Sequence, residues 1–346
     1  MENSTNSSLT ESSQGDSFEL RLTKATICMF VLVASLIENS LVLVILKKNY
    51  RSRVRTANGF FIANMSVADI LFALQNTPHA YNNYLLKERW NLQGWIGIAL
   101  CKIDMFFSFI TMVTANLTIL AIAVDRMFAV YVPLKKIITR RICFIIILLT
   151  WLIPAIFASP MLYYGDLVIR GGVTSCNLKD RMVLKTWYMV LAGILATTLV
   201  TILALYTAIG FKLSGRKFPG NASQRNRERR LKRNRDIFKM LITLIVVFYI
   251  CSLPILSLHV SFLLDFYELF RINHIRFTAL FLYFSNGAIN PIIYLIFNES
   301  FRDGIKAALL QCKCSRGFVY SVETEAAARK RSTDDGNDGL RSSTQL

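Results

Sequence analysis

The chain has 346 residues, 53% of them hydrophobic, with a mean hydropathy of +0.42 and a formal net charge of +18. This is too apolar for an ordinary soluble protein, and the excess falls in long runs that lack the polar faces of a soluble helical array. The positive charge would suit nucleic acid, but its distribution along the chain points elsewhere.

Seven apolar runs stand out, at about residues 24–46, 57–81, 97–131, 142–164, 186–213, 237–264 and 272–297. A run of about 20 residues crosses a bilayer as a helix, so the sequence predicts a polytopic helical membrane protein. With the N-terminus outside, the cytoplasmic loops and tail hold 28 Lys/Arg against nine Asp/Glu, and the outer segments 11 against 10. That asymmetry sets the orientation, and it aims the basic surplus at anionic inner-leaflet lipid and cytoplasmic partners rather than nucleic acid.

Residues 1–23 are polar and rich in Ser, Thr and Asn. No cationic start precedes a short apolar core, so the first span is expected to act as its own insertion signal. Asn3 and Asn6 open glycosylation sequons in this outer tail. Sequons at Asn64, Asn116, Asn221 and Asn298 fall in the membrane or inside the cell in this topology and are discounted.

The first span carries Glu38-Asn39 near its middle, and the second carries Asp69. A carboxylate at depth costs about 2.5–3.5 kcal/mol on insertion scales, so Asp69 is expected to face the bundle interior. The third run opens at Cys101 and ends in Asp125-Arg126. Twenty-five residues separate Cys101 from Arg126, about 37 Å of helix, which is one membrane with its interfaces. Read alone, the charged pair is equally the boundary where a span stops.

After the fourth span, two β-prone stretches at 163–168 and 173–177 flank Arg170-Gly171-Gly172 and predict a hairpin, with Cys176 at its end. Of the seven cysteines, Cys101 and Cys176 alone face the oxidising side, and a disulfide is the simple reading. The segment after span five is strongly basic. It reads as a lipid-binding stretch or as the start of helix six extended into the cytosol. After span seven, Phe301, Ile305, Ala308 and Leu309 share one face of a short amphipathic helix. Cys312 and Cys314 follow, well placed for palmitoylation. The expected organisation is an outer tail (1–23), a seven-span domain (24–298), an amphipathic helix (299–314) and a polar, disordered tail (315–346). The three histidines, His79, His259 and His274, form no metal pair at helical spacing, and no enzyme constellation is visible.

Together these residues resemble a rhodopsin-like (class A) G-protein-coupled receptor, of the peptide-receptor type, over nearly the whole ordered chain. The resemblance rests on Asn39, Asp69 in NMSVAD, Cys101, Asp125-Arg126, Trp151, Cys176, Pro254 and Asn290–Tyr294 (NPIIY), met in order. Trp95 and Gly97 look like the first outer loop's Trp and Gly, and Phe301-Arg302 fit the eighth helix. The chain departs from the family at Met127, at Ser252 in place of a switch tryptophan, at Thr198 in place of a proline, and at Glu38 in place of a glycine.

The resemblance implies an all-α membrane protein, a seven-transmembrane helix bundle with a short amphipathic eighth helix. It implies no enzyme activity and a place in the plasma membrane as a multi-pass receptor with its N-terminus extracellular. An extracellular ligand would drive movement of helix 6, engaging a heterotrimeric G protein, with arrestin and a receptor kinase acting at the tail. Asp125, Arg126, Tyr206, Pro254, Asn290, Pro291 and Tyr294 would carry activation. Asp69, Asn286 and Asn290 would hold an allosteric sodium ion. Ala115 stands where a serine ligand is common, and Asn116 is the neighbour expected to compensate.

Span seven has no lysine for retinal, its place being Phe284, and Ser108 stands where amine receptors carry an aspartate. The hairpin, Pro78 and the aromatic rim of Tyr81, Tyr84, Tyr163 and Tyr164 favour a neuropeptide. Gln75, Asp104, Ser108, His259 and Leu280 are the expected ligand contacts. A receptor for an amine, lipid or other small molecule is the alternative. A transporter or channel fits less well, because no two matching halves are visible.

Overall fold

The computed structural model describes residues 16–48, 57–86, 89–132, 135, 137–170, 172–214, 224–266, 272–297 and 301–306. Among them are helices α1 (Phe18–Lys48), α2 (Ala57–Tyr84), α3 (Gly94–Tyr131), α4 (Arg140–Tyr164), α5 (Arg181–Ser214), α6 (Gln224–Leu263) and α7 (Asn273–Phe297). All seven are long and apolar enough to cross a membrane. Residues 301–306 form a short eighth helix, α8. The palmitoylation candidates Cys312 and Cys314, the sequons at Asn3 and Asn6, and the tail from residue 315 lie outside the described residues.

The spans follow from the apolar runs, but their ends do not. α1 begins six residues before the predicted span, within the expected tail. Ser17 Oγ accepts from Leu20 N–H at 3.3 Å and Lys24 pairs with Asp16 at 2.6 Å, so a polar turn holds the start of the helix. α6 begins at Gln224 and runs unbroken to Leu263, so the second half of the basic segment is helical. α4 is capped by Thr139, whose side chain accepts from Ile142 N–H.

α3 is the axle. In its apolar stretch 72% of residues are buried, against 22% in α4 and in α5. It packs on α2, α4 and α5, while α1 lies against α2 and α7, and α6 against α7. Lipid tails are as apolar as leucine, so polar contacts and close packing select these neighbours. Asn39 Nδ2 donates to Gly287 O at 3.0 Å, tying α1 to α7. Asn64 Nδ2 donates to Thr118 Oγ1 at 2.8 Å, and its Oδ1 accepts from Trp151 Nε1 at 2.8 Å, joining α2, α3 and α4. Gly287 permits the close approach of α7, since a Cβ there would stand 2.9 Å from Ser35 Oγ and 3.3 Å from Asp69 Cβ.

β1 (Gly165–Arg170) and β2 (Val173–Leu178) pair antiparallel, with Leu167 opposite Cys176. Gly172 turns the chain at φ +76°, which favours glycine. The hairpin is as predicted, with its first strand starting after α4 ends at Tyr164. A disulfide joins Cys101 at the top of α3 to Cys176, Cα atoms 5.5 Å apart. Trp90 N–H donates to Thr174 O at 2.7 Å, so the segment before α3 also holds the hairpin. Trp90, rather than Trp95, is therefore the tryptophan that backs the loop. Trp95 is 79% exposed on the first turn of α3, with four residues between it and Trp90. Gly97 permits a close approach of backbone, since a Cβ would meet Leu92 O at 2.1 Å.

Candidate functional site

Below the hairpin lies a cavity of about 360 Å³, walled by α2, α3, α4, α5, α6, α7 and β2. Gln75, Asp104, Ser108, His259 and Leu280 come from four helices and all line it. Pro254 explains how α6 reaches it. Proline lacks an N–H and clashes with the preceding turn, so α6 bends there, with Ile255 and His259 just beyond.

Sequence reasoning did not include α5 or Trp90 in this wall. Trp187 packs on Phe109 at 3.9 Å between ring centroids and donates from Nε1 to Phe157 O at 3.3 Å. Tyr188 stacks on His259 at 4.2 Å, joining α5 to α6. The adjacent aromatic pair at the start of a span was the available signal, but the chain has 13 tyrosines and 24 phenylalanines, and the pair does not stand out.

Outside the spans, two carboxylates are held by cations. Lys179 beside Asp166 keeps that carboxyl below the usual range, and Leu167 N–H adds to the effect. Asp265, at the end of α6, lies below it too, through Lys185 first and then Arg181, at 2.8 Å each.

Deeper, Asp69 Oδ2 accepts from Asn290 Nδ2 at 2.9 Å across α2 and α7. The side-chain oxygens of Asn286 and Asn290 are buried without a hydrogen-bond partner. One carboxylate and two unpaired amide oxygens form a donor set suited to a hard monovalent cation. Asn116 does not complete it. Its amide donates to Thr198 Oγ1 at 2.7 Å and its oxygen accepts from Tyr249 at 3.4 Å, which turns the side chain toward α5 and α6. The expectation that Asn116 replaces the missing serine is thus corrected: its hydrogen bonds are taken elsewhere.

At the opposite end from the hairpin, Arg126 Nε donates to Asp125 Oδ2 at 3.1 Å, and Asp125 is buried. Among the described residues Asp125 is the ion partner of Arg126. Tyr206 lies nearby, its hydroxyl buried without a partner and its ring 5.4 Å from Phe238 of α6. Tyr294 donates to Met65 Sδ at 3.3 Å, holding the NPIIY turn, with Pro291 inside α7, against α2. The side chains of Asn234 and Asp236 on α6 lie outside the described residues.

Seven spans, a disulfide-pinned hairpin over a cavity at one end, and a charged Asp-Arg pair at the other define a seven-helix membrane receptor. The family model described as 7 transmembrane receptor (rhodopsin family) matches residues 38–294, and the chain belongs to that family of G-protein-coupled receptors, which are not enzymes. Among curated proteins it is 28% identical to the Substance-P receptor of Cavia porcellus, over 87% of this chain and 73% of that receptor. It is 29% identical to the Substance-P receptor of Aquarana catesbeiana, over 84% of this chain and 71% of that one. Identity to the Neuromedin-K receptor of Cavia porcellus is 29%, over 75% of this chain and 59% of that receptor.

Proposed function

We propose that this protein is a plasma-membrane receptor for an extracellular peptide, with its N-terminus outside, that signals through heterotrimeric G proteins. The observation that carries the reading is the cavity beneath the disulfide-pinned hairpin, which gathers six helices around one ligand-sized space. Similarity to receptors for substance P and neuromedin K favours a peptide over an amine or lipid. The charge asymmetry of the loops supports the orientation.

The mechanism follows from the bend in α6. A ligand touching Ile255 and His259 just beyond Pro254 biases the tilt of that helix, and its far end moves near Tyr206 and Arg126. A ligand shifts such an equilibrium only by its differential affinity for the two states. Arg126, held by Asp125 at rest, would turn to the G protein when α6 swings away. Asp69, Asn286 and Asn290 would hold a sodium ion, which when bound supplies positive charge beside Asp69. Asn3 and Asn6 would carry glycans, Cys312 and Cys314 palmitate, and the tail would meet a receptor kinase and arrestin.

The test is a screen of peptide pools against the full-length receptor in cells, with second-messenger readouts and Arg126→Ala as the uncoupled control. A peptide that activates the parent and not the control supports the reading. Activation by amine or lipid pools alone overturns the peptide class.

A further inference from the structure

Among the described residues the cavity wall carries a single acidic side chain, Asp104, and no lysine or arginine of the wall answers it. Asp104 Oδ1 accepts from the Gln75 amide at 3.2 Å, and the same nitrogen reaches Asp104 O at 3.3 Å. Both are contacts to a neutral group. Among the described residues lining the cavity there is no Lys, Arg or Glu, and no described ion pair includes Asp104. Two carboxylates outside the spans differ in this respect, since Asp166 and Asp265 each have lysine partners. His79 is the titratable base on the wall beside Asp104.

A partly desolvated carboxylate without a lysine or arginine partner attracts a cation and repels an anion. The rest of the wall agrees. The rings of Trp90, Phe109, Trp187, Tyr188 and Tyr283 supply much of it, and aromatic faces attract cations. The cavity, at about 360 Å³, admits one or two side chains or a chain end rather than a whole peptide.

We infer that the cavity is a subsite for a cationic group, an ammonium or guanidinium, seated on Asp104 between α2 and α3. This rests on the reading that the cavity takes the ligand, and deepens it to the sign of the charge that enters. The activating peptide therefore inserts a Lys, an Arg or a free N-terminus, and acidic ends are excluded.

The charge preference is measurable without a ligand. Ser108→Cys places a thiol on the wall of the full-length receptor in intact cells, and Leu280→Cys does so if the first variant folds poorly. The parent is the background control, since Cys28, Cys143 and Cys251 are buried. Rates of modification by a trimethylammonium and by a sulfonate methanethiosulfonate reagent are compared, each normalised to its rate on a free thiol. The expected result is preference for the cationic reagent by about tenfold, abolished by Asp104→Asn. Equal normalised rates, or a preference that survives Asp104→Asn, overturn the inference.

Peptides that activate in the pool screen give a second reading. Arg→citrulline, or Lys→norleucine, is expected to lower potency at least tenfold on the parent and not on Asp104→Asn. Active peptides whose potency ignores both changes also overturn it. Activation by amine pools alone, with the reagent preference intact, rejects the peptide reading and supports the cationic subsite.

Discussion

Asn116 on α3 donates through Nδ2 to Thr198 Oγ1 on α5 at 2.7 Å, at a depth where both side chains are buried. Tyr249 of α6 joins them, its hydroxyl 3.3 Å from Thr198 Oγ1 and donating to Leu195 O at 3.2 Å. Three helices meet in one hydrogen-bonded cluster, about two and a half helical turns from the Asp125-Arg126 pair of α3. In the membrane such bonds contribute about 0.6 kcal/mol each, up to about 1.7.

The cluster is expected to hold α6 in its resting position. Tyr249→Phe removes the hydroxyl and keeps the ring, so it should raise ligand-independent signalling several-fold, as a change of about 1 kcal/mol does. Basal G-protein activation at matched surface expression is the measurement. A fall, or no change, would mean the cluster does not restrain α6.

A second restraint concerns Arg126. In receptors this chain resembles, an acid twenty residues before the α6 proline pairs with the arginine, and here that position is Asn234. Asn234→Glu is expected to lower basal signalling, and Arg126→Ala to nearly abolish it. If Asn234→Glu leaves the basal level where it was, Asp125 alone restrains Arg126.

The Cys101–Cys176 bridge pins the hairpin that roofs the cavity. Replacing either cysteine with Ser should cost about 2–4 kcal/mol. Surface expression and thermal stability of the purified receptor should both drop, and the single variants should resemble the double one. Full additivity of the two losses would be incompatible with a shared bond.

Gly97→Ala puts a methyl group on Leu92 O at 2.1 Å, and backbone must move. Gly193→Ala meets nothing within 4 Å. The first should sharply reduce folded receptor and the second should be neutral or slightly stabilising, as judged by melting temperature and by labelling at the cell surface. Similar yields for both would contradict the close approach of the two backbones.

Asp166 stands below its ordinary value because Lys179 stabilises its charged form. A depressed carboxylate contributes stability that is present above its unfolded value, 3.8, and is lost as pH falls through the lower folded value. Hairpin amide protection should therefore weaken as pH falls below about 4. Asp166→Asn should flatten that dependence. Hydrogen exchange over β1 and β2 reads it, and an unchanged acid limb in the variant would assign the effect elsewhere.

The spans were legible because a bilayer admits only helices of sufficient apolar length, and such runs leave a local signature. The hairpin was legible from Arg170-Gly171-Gly172 for a similar reason, since a turn is set by its own residues. The five residues Gln75, Asp104, Ser108, His259 and Leu280 were placed in order along the chain, and the fold gathers them on one wall. Which face of α5 joins that wall could not be read, because its aromatic pair gains meaning only from Phe109 and His259 opposite. The same holds for Asn116, whose amide suits a cation or a hydroxyl equally well. Only the rotation of α3 against α5 and α6 decided that it meets Thr198 and Tyr249. Local composition determines where a helix exists, whereas long-range packing determines what each buried polar group touches, because hydrogen-bond direction depends on neighbours that lie up to 248 residues away in the chain.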